Sequence, residues 1–225
     1  MKNYIIIADG EFLSTDFILN ATKNKIIIAL DGAADRLADL NIKPHVILGD
    51  FDTINPIPWG IQKTYSEMGE DDQPYFNQDN IHIVPAKNQQ YTDLQKAIHY
   101  CNLHQAASIT IICAMGGRLD HHEGNLRSLR SAYRPNRSIL LHTERETIRF
   151  ARDETLTFIG QPGDKCGIMA FPEGYFTSTG LAYEGERFPL VFGELESTCN
   201  SFKASDVVVT VEGDVLLIMP NQMII

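Results

Sequence analysis

Short apolar runs that alternate with helical patterns fill the first 135 residues, and this alternation restricts the fold more than any other feature of the chain. The runs are rich in isoleucine and valine and lie at residues 4–8, 25–30, 45–48, 81–84 and 108–114. Strands that alternate with helices are typical of a parallel sheet that the helices cover. The sequence therefore predicts an α/β domain over residues 1–136.

The helices between these runs carry start signals. Thr92 and Gln95 have the spacing of a capping box, and apolar residues follow at helical intervals. A second helix is predicted after Asp31 and Gly32, because small and apolar residues recur there at helical spacing. The weakly patterned stretch 55–80 predicts only a short helix around residues 62–68.

The pattern changes after about residue 137. Short apolar runs now follow one another closely, separated by glycine, proline or charged residues, at 138–142, 147–150, 155–159, 167–171, 189–192, 207–211 and 215–219. Many short strands with frequent turn signals are typical of all-β proteins. The sequence predicts an all-β sandwich or a small barrel over residues 137–225.

Charge and cysteine content exclude several classes of protein. The formal net charge of −10 opposes binding to nucleic acid or to an anionic membrane through a general basic surface. The four cysteines show no paired spacing, which favours buried thiols over disulfides or a zinc site. The apolar run at the N-terminus is too short for a signal peptide, and no apolar stretch approaches the ~18 residues of a membrane span, so we expect a cytoplasmic protein.

The run at residues 108–114 leads into Gly116, Gly117 and Arg118, after which a helix is predicted. Two adjacent glycines let a backbone approach a ligand closely, the N-terminus of a helix attracts anions, and arginine binds phosphate. A structural alternative is open as well, because Asp120 and Glu123 have the spacing of an N-cap and its partner three residues later. This segment alone does not separate a phosphate site from a helix start.

Carboxylates stand where several predicted strands end. Asp31 follows the second run, Asp50 and Asp52 follow the third, and Asp93 opens a predicted helix. The carboxyl ends of parallel strands meet at one edge of a sheet, so these groups can share a site with the glycine turn. In an extended segment Asp50 and Asp52 point to one side and Phe51 to the other. Mg²⁺ fits such a site because it prefers carboxylate and phosphate oxygens, although each Asp taken singly is better explained as a turn former or helix cap.

Several known nucleotide and hydrolase motifs are absent from the sequence. They are the Walker-type glycine loop, Gly-x-Gly-x-x-Gly, His-Glu-x-x-His and Gly-x-Ser-x-Gly. A nucleotide would therefore bind to this chain through a different architecture.

Taken together, the motifs resemble those of the thiamine pyrophosphokinase family in their order and approximate spacing. In the first half they are DGAADRL at 31–37, GDFDT at 49–53, TD at 92–93 and GGRLDH at 116–121, with Asn125. In the second half they are STGLAY at 178–183 and STCN at 197–200. The resemblance covers nearly the whole chain, and the glycine and aspartate motifs are specific only in combination.

This resemblance implies a Rossmann-like α/β domain with a parallel sheet that binds Mg-ATP, followed by a β-sandwich domain that binds thiamine. It also implies a homodimer in which thiamine lies at the subunit interface. The implied reaction is the transfer of a diphosphoryl group from ATP to the hydroxyethyl oxygen of thiamine, which gives thiamine diphosphate and AMP. Mg²⁺ is the implied cofactor, and no nucleic acid or membrane partner is expected.

The resemblance also implies roles for individual residues. The catalytic residues are Asp50, Asp52, Asp93 and Arg118. The magnesium carboxylates are Asp31, Asp50, Asp52 and Asp93. The nucleotide site comprises Asp31, Gly32, Gly49, Thr92, Gly116, Gly117, Arg118, Asp120, His121 and Asn125. The thiamine site comprises Gln90, Thr179, Tyr183, Ser197, Thr198 and Asn200.

One position departs from the family pattern. Gln90 stands where the family usually has an acid ahead of the Thr-Asp pair, so the predicted metal site carries one negative charge fewer. Two alternatives are open for the function. One is a pyrophosphokinase for another hydroxymethyl heterocycle such as a pterin, and the other is a protein that binds nucleotide or thiamine without catalysis.

Overall fold

The protein is described by a computed structural model over residues 2–69 and 71–221. The chain divides into two compact units whose boundary follows Ile139. The last four residues of the predicted second domain, 222–225, lie outside the described residues. None of the described helices combines the length and the apolar character that a membrane-spanning helix needs.

The first unit contains a mainly parallel sheet, as predicted. Its strands are β1 (Lys2–Ile7), β2 (Ile26–Leu30), β3 (Val46–Gly49), β4 (Tyr75–Phe76), β5 (His82–Pro85) and β6 (Ala106–Ile112). Their spatial order is β6-β1-β2-β3-β5-β4, and every neighbouring pair is parallel except β4 with β5. The carboxyl ends of β6, β1, β2, β3 and β5 therefore lie along one edge.

The described helices of this unit are α1 (Thr15–Ala21), α2 (Ala33–Asp39), α3 (Pro56–Trp59), α4 (Asp93–Leu103) and α5 (Leu119–Ala132). The capping box of α4 is confirmed, with both the Thr92 and the Gln95 side chains bonded to backbone. The short helix predicted around residues 62–68 is wrong. A helix forms earlier instead, because Asn55 caps it, Pro56 occupies its first position and Gly60 ends it at φ +62°.

The core of the first unit joins strands and helices in one buried cluster. Ile5 and Ile7 of β1 and Ile47 of β3 belong to it together with Leu37 of α2 and Trp59 of α3. Strands in the middle of a parallel sheet are buried along nearly their whole length, which explains the continuous apolar runs of the sequence. A rigid sheet of this kind fixes the positions of the residues that follow its strands.

All elements described after α5 are strands, and the first of them begins two residues before the boundary of the second unit. They are β7 (Ser138–His142), β8 (Glu146–Ile159), β9 (Lys165–Thr179), β10 (Phe188–Val191), β11 (Ser197–Ser201) and β12 (Asp206–Pro220). Antiparallel pairs run in the order β10-β9-β12-β8-β7, and β11 also pairs with β9. The sandwich or barrel arrangement stays a prediction.

Several strands predicted as separate form single long strands. Residues 147–150 and 155–159 both belong to β8, and residues 207–211 and 215–219 both belong to β12. The interruption in β12 is a register shift between Val211 and Asp214, where Gly213 has φ +78° and donates its N–H to Asp153. A β-bulge places glycine and polar residues inside a strand without ending it. The sequence prediction took these residues for a turn and therefore counted too many strands.

Candidate functional site

Three carboxylates meet at the carboxyl edge of the first sheet. Asp31 follows β2, Asp50 follows β3 and Asp93 begins α4, and one oxygen of each lies within 4.8 Å of the others. The backbone connects the strand ends here, since the N–H of Asp31 donates to the carbonyl of Leu48 at 3.1 Å. The sheet topology thus brings together acids that are far apart in sequence.

Asp31 is the most buried of these acids, and one oxygen of its side chain lacks a partner that a bound cation could provide. Its side-chain atom Oδ1 is buried without a hydrogen-bond partner, and Oδ2 accepts from the backbone N–H of Thr53 at 3.4 Å. Burial, helped by the neighbouring carboxyls of Asp52 and Asp93, raises the pKa of Asp31 to about 7. A buried carboxylate oxygen without a donor, beside two further carboxylates, suits an oxygen-seeking cation such as Mg²⁺.

Asp93 is partly buried and has a cationic neighbour that the sequence analysis did not single out. Burial raises the pKa of Asp93, and the ammonium of Lys96 opposes this at 2.9 Å from Oδ1. Spacing by three residues on a helix brings side chains together, so the signal for this pair was present once α4 was predicted.

The segment between Asp50 and Asp52 differs from the extended backbone predicted for it. Phe51 has φ +59° and is 2% exposed, because it turns into the core cluster. Asp52 is exposed and lies outside the group of three carboxylates, although it raises the pKa of Asp31. The extended backbone predicted between Asp50 and Asp52 is therefore wrong, although both carboxylates lie near Asp93 and raise its pKa.

The residue that contacts the acids from segment 86–92 is Gln89 rather than Gln90. The amide Nε2 of Gln89 donates to Oδ2 of Asp50 at 2.8 Å. Gln90 is exposed, and its backbone N–H donates to Asn88. A direct role of Gln90 toward a metal or thiamine stays a prediction.

The glycine turn is attached to the end of β1. Backbone N–H groups of Ala8, Gly10 and Glu11 donate to the carbonyls of Ile112, Cys113 and Met115 at 3.1, 2.9 and 2.7 Å. Gly116 and Gly117 have φ +84° and +83°, values that favour glycine. A Cβ at residue 116 would lie 2.3 Å from the Cβ of Glu11, whereas the space around residue 117 is open.

Asp9 connects this turn to the acid cluster, and the sequence analysis missed it. A Cβ at Gly32 would lie 2.6 Å from Oδ2 of Asp9, so the Asp9 carboxylate packs against the backbone beside Asp31. Burial raises the pKa of Asp9, and Arg36 opposes this at 3.6 Å. Asp9 lies two residues after the end of β1, close to a strand end as Asp31 and Asp50 are, and that placement was the available signal.

The interpretation of Asp120 as an N-cap is wrong. Helix α5 begins at Leu119, its N-cap position is Arg118, and no side chain caps it. Asp120 instead accepts two hydrogen bonds from Arg118, at 3.1 Å from Nε and 2.6 Å from Nη2, and this guanidinium lowers the pKa of Asp120 to about 2. Asp120 holds the exposed Arg118 beside the glycine turn, and Glu123 pairs with Arg127 at 3.2 Å.

The other predicted nucleotide residues lie around the same edge. Asn125 donates from Nδ2 to the carbonyl of Ala114 at 2.6 Å and so attaches α5 to the end of β6. The Thr92 side chain caps α4, and His121 is exposed in the first turn of α5. Gly49 allows a close approach, since a Cβ there would lie 3.2 Å from the Cβ of Asp31. Direct contacts of these residues with ATP stay predictions.

In the second unit, one buried amide organises the predicted thiamine residues. Asn200 is 1% exposed, its Oδ1 accepts from the N–H of Tyr183 at 3.1 Å, and its Nδ2 donates to the carbonyl of Tyr183 at 2.8 Å and to Oγ of Ser197 at 3.2 Å. The Tyr183 residue itself is 73% exposed. Asn200 therefore presents Tyr183 to solvent by fixing its backbone.

The remaining thiamine candidates are exposed. Thr179 ends β9, and Thr198 lies in a register shift of β11 between Ser197 and Asn200. Cys199 follows with φ +57° and is exposed, whereas Cys101, Cys113 and Cys166 are buried. The prediction of buried thiols thus holds for these three cysteines and is wrong for Cys199.

Comparison with known proteins covers both units. Residues 19–141 match the family model "Thiamin pyrophosphokinase, catalytic domain", and residues 145–216 match "Thiamin pyrophosphokinase, vitamin B1 binding domain". Among relatives, thiamine pyrophosphokinase 3 of Oryza sativa subsp. japonica is 28% identical over 84% of this chain and 76% of its own length. Thiamin pyrophosphokinase 1 of Caenorhabditis elegans is also 28% identical, over 82% of this chain and 74% of its own.

Solved structures share the fold. The crystal structure of thiamine pyrophosphokinase from Bacillus subtilis has a TM-score of 0.77 and 22% identity, covering 99% of this chain and 100% of its own. The crystal structure of yeast thiamin pyrophosphokinase has a TM-score of 0.77 and 14% identity, covering 97% of this chain and 86% of its own. Because the two family models together span most of the sequence, this chain belongs to the thiamine pyrophosphokinase family.

Proposed function

We propose that this chain is an ATP-dependent thiamine diphosphokinase. It transfers a diphosphoryl group from ATP to the hydroxyethyl oxygen of thiamine and releases thiamine diphosphate and AMP. Family membership supports this activity, and the observation that carries it is the meeting of Asp31, Asp50 and Asp93 around a buried carboxylate oxygen that lacks a donor.

The two halves of the chain divide the work in this proposal. Residues 1–136 form a Rossmann-like domain that binds Mg-ATP, and residues 137–225 form a β-sandwich that binds thiamine. The working form is a homodimer with thiamine at the subunit interface. The two family models, one for catalysis and one for vitamin B1 binding, support this division.

The acid cluster fits a magnesium ion. Asp31, Asp50 and Asp93 would hold it, with Asp52 close by. When bound, Mg²⁺ neutralises charge on the ATP phosphates, which is most of what phosphoryl transfer requires besides positioning.

The other residues of this edge position the reacting groups. The oxygen of the thiamine hydroxyl forms a bond to the β-phosphorus of ATP, and the bond from that phosphorus to the oxygen that bridges to the α-phosphorus breaks. AMP leaves with that oxygen, and the hydroxyl proton passes to solvent water. Arg118, held by Asp120, binds the transferring phosphates beside Gly117, whose surroundings are open. Asp93 accepts the hydrogen bond of the thiamine hydroxyl and orients it.

Thiamine binding is proposed for the surface around Tyr183. Its exposed ring can stack on the cationic thiazolium, an interaction worth about 0.5–2 kcal/mol. Ser197, Thr198 and Thr179 offer hydroxyls for the aminopyrimidine, with Gln90 as a further contact. The buried Asn200 supports this surface through its hydrogen bonds to the Tyr183 backbone.

An acceptor screen tests the proposal. Purified protein is incubated with Mg-ATP and thiamine, with a hydroxymethylpterin, or with no acceptor, and AMP is quantified by chromatography. We expect AMP and thiamine diphosphate in equal amounts with thiamine only. AMP formation with the pterin but not with thiamine would contradict thiamine as the acceptor. ATP binding without AMP release would contradict the proposed activity.

A further inference from the structure

Lys96 is a cation placed inside an acidic site. Its side chain is 12% exposed, and its ammonium lies 2.9 Å from Oδ1 of Asp93 and 2.6 Å from the backbone carbonyl of Ala86. Both acceptors belong to the carboxyl edge of the sheet, since Asp93 begins α4 and Ala86 follows β5. The long side chain therefore joins a helix to the end of a strand.

This connection continues to a second acid. The backbone N–H of Ala86 donates to the carbonyl of Gly49 at 2.8 Å, and Gly49 directly precedes Asp50. Lys96 thus stands in a chain of hydrogen bonds that runs from Asp93 to the residue beside Asp50.

The ammonium also changes the charge of the cluster. It occupies one oxygen of Asp93, so that oxygen is shared with a protein cation. Like charges repel, and a fixed positive charge beside three carboxylates opposes the entry of a divalent cation. We therefore expect the Lys96 charge to lower the affinity of the acid cluster for a divalent cation.

We propose that Lys96 is a positioning residue that holds Asp93 at a set distance from Asp50 and limits the affinity of the acid cluster for divalent cations. Its part in positioning rests on the proposed function, whereas its effect on cation affinity does not. Lys96 also borders a cavity of about 730 Å³ beside α4, and methionine or glutamine fits there without overpacking because neither side chain is longer than lysine.

The test compares Lys96→Met with the wild type in two measurements. Mn²⁺ binding to the protein without nucleotide is measured by isothermal titration calorimetry, and we expect about threefold to tenfold tighter binding because a repelling charge is removed. Steady-state kinetics at saturating Mn²⁺ should show kcat reduced about tenfold or more, with the KM for thiamine within about twofold, because alignment rather than thiamine binding is lost.

Two further variants separate charge from packing. Lys96→Arg retains the positive charge and should keep the wild-type Mn²⁺ affinity and recover part of kcat. Lys96→Gln provides the same test of affinity if the methionine variant is poorly folded, since its amide can still donate to a carbonyl. Lys25→Met is the matched control, because Lys25 is a half-buried lysine that donates to Thr110 and precedes β2 at the other end of the sheet.

The outcomes decide clearly. Unchanged or weaker Mn²⁺ binding by the methionine and glutamine variants, or an unchanged kcat, overturns the proposal, and so does an equal effect of Lys25→Met. If the wild type releases no AMP with thiamine, the proposed function fails, and the Mn²⁺ titration alone decides whether Lys96 limits cation affinity.

Discussion

The two units of this protein fix their candidate functional residues by different means. In the first, Asp31 and Asp50 directly follow central strands, so the buried sheet determines where their carboxylates lie. In the second, Tyr183 lies outside the strands, and a single buried amide, Asn200, determines its position. The positions of residues at strand ends are supported by many core residues, whereas the position of Tyr183 depends on Asn200 alone.

The largest expected effect comes from a substitution in the centre of the acid cluster of the first unit. Asp50→Asn keeps the shape of the side chain but removes a charge from the acid cluster, and we expect kcat to fall about 100-fold or more because electrostatic terms of this kind are that large. AMP release at saturating Mg²⁺ measures it. Asp79→Asn is the control, since Asp79 pairs with Lys43 on the surface. Activity within a few-fold of wild type would contradict a metal role for Asp50.

A second prediction sharpens the comparison at the glycine turn. Alanine at residue 117 meets open space and should cost about 1 kcal/mol of unfolding free energy for its positive φ alone. Alanine at residue 116 has the same strain and also collides with Glu11, so it should cost clearly more and reduce activity further. Urea denaturation of the two variants measures the difference, and equal losses would show that the contact with Glu11 yields easily.

The third prediction concerns the site in the second unit. Asn200→Ala leaves the N–H and carbonyl of Tyr183 without these partners, which should cost about 1–3 kcal/mol of unfolding free energy. The KM for thiamine should rise about tenfold while the KM for ATP changes little, because only the Tyr183 surface loses its support. Thr155→Val, which removes the exposed hydrogen bond between the Thr155 and Thr210 hydroxyls elsewhere in the unit, is the control. Equal changes in both KM values would argue for general unfolding.

The smallest expected effect is a difference in thiol reactivity between the exposed Cys199 and the buried cysteines. Burial raises the pKa of Cys101 to about 12 and that of Cys166 to about 11, so at pH 8 these thiols remain protonated and unreactive. A disulfide reagent such as DTNB should therefore modify the exposed Cys199 first, and Cys199→Ser should abolish the rapid phase. Cys101→Ser should leave that phase unchanged. Rapid modification of a second thiol in the native protein would contradict the burial of the others.

Sequence patterns predicted the parallel sheet, the capping box of Thr92 and the meeting of acids at strand ends, because each depends on local periodicity or on the order of strands. They did not predict Lys96 or Asp9. A lysine and an aspartate are ordinary surface residues in a sequence, and only the folded backbone shows that Ala86 and Gly32 lie against them. The role of Asp120 was misjudged for a related reason, since Arg118 competes with the helix terminus for its carboxylate.

The hydrogen bonds of segment 8–11 have a consequence for the dynamics of the glycine turn. Its N–H groups extend the ladder between β1 and β6 beyond the end of both strands, up to Met115. Amide protons of Gly10 and Glu11 should therefore exchange with deuterium only when the central sheet itself opens, although both residues lie in a loop. Slow exchange of these two amides in the protein without nucleotide would show that the turn is ordered before ATP binds, so that ATP binding need not order it.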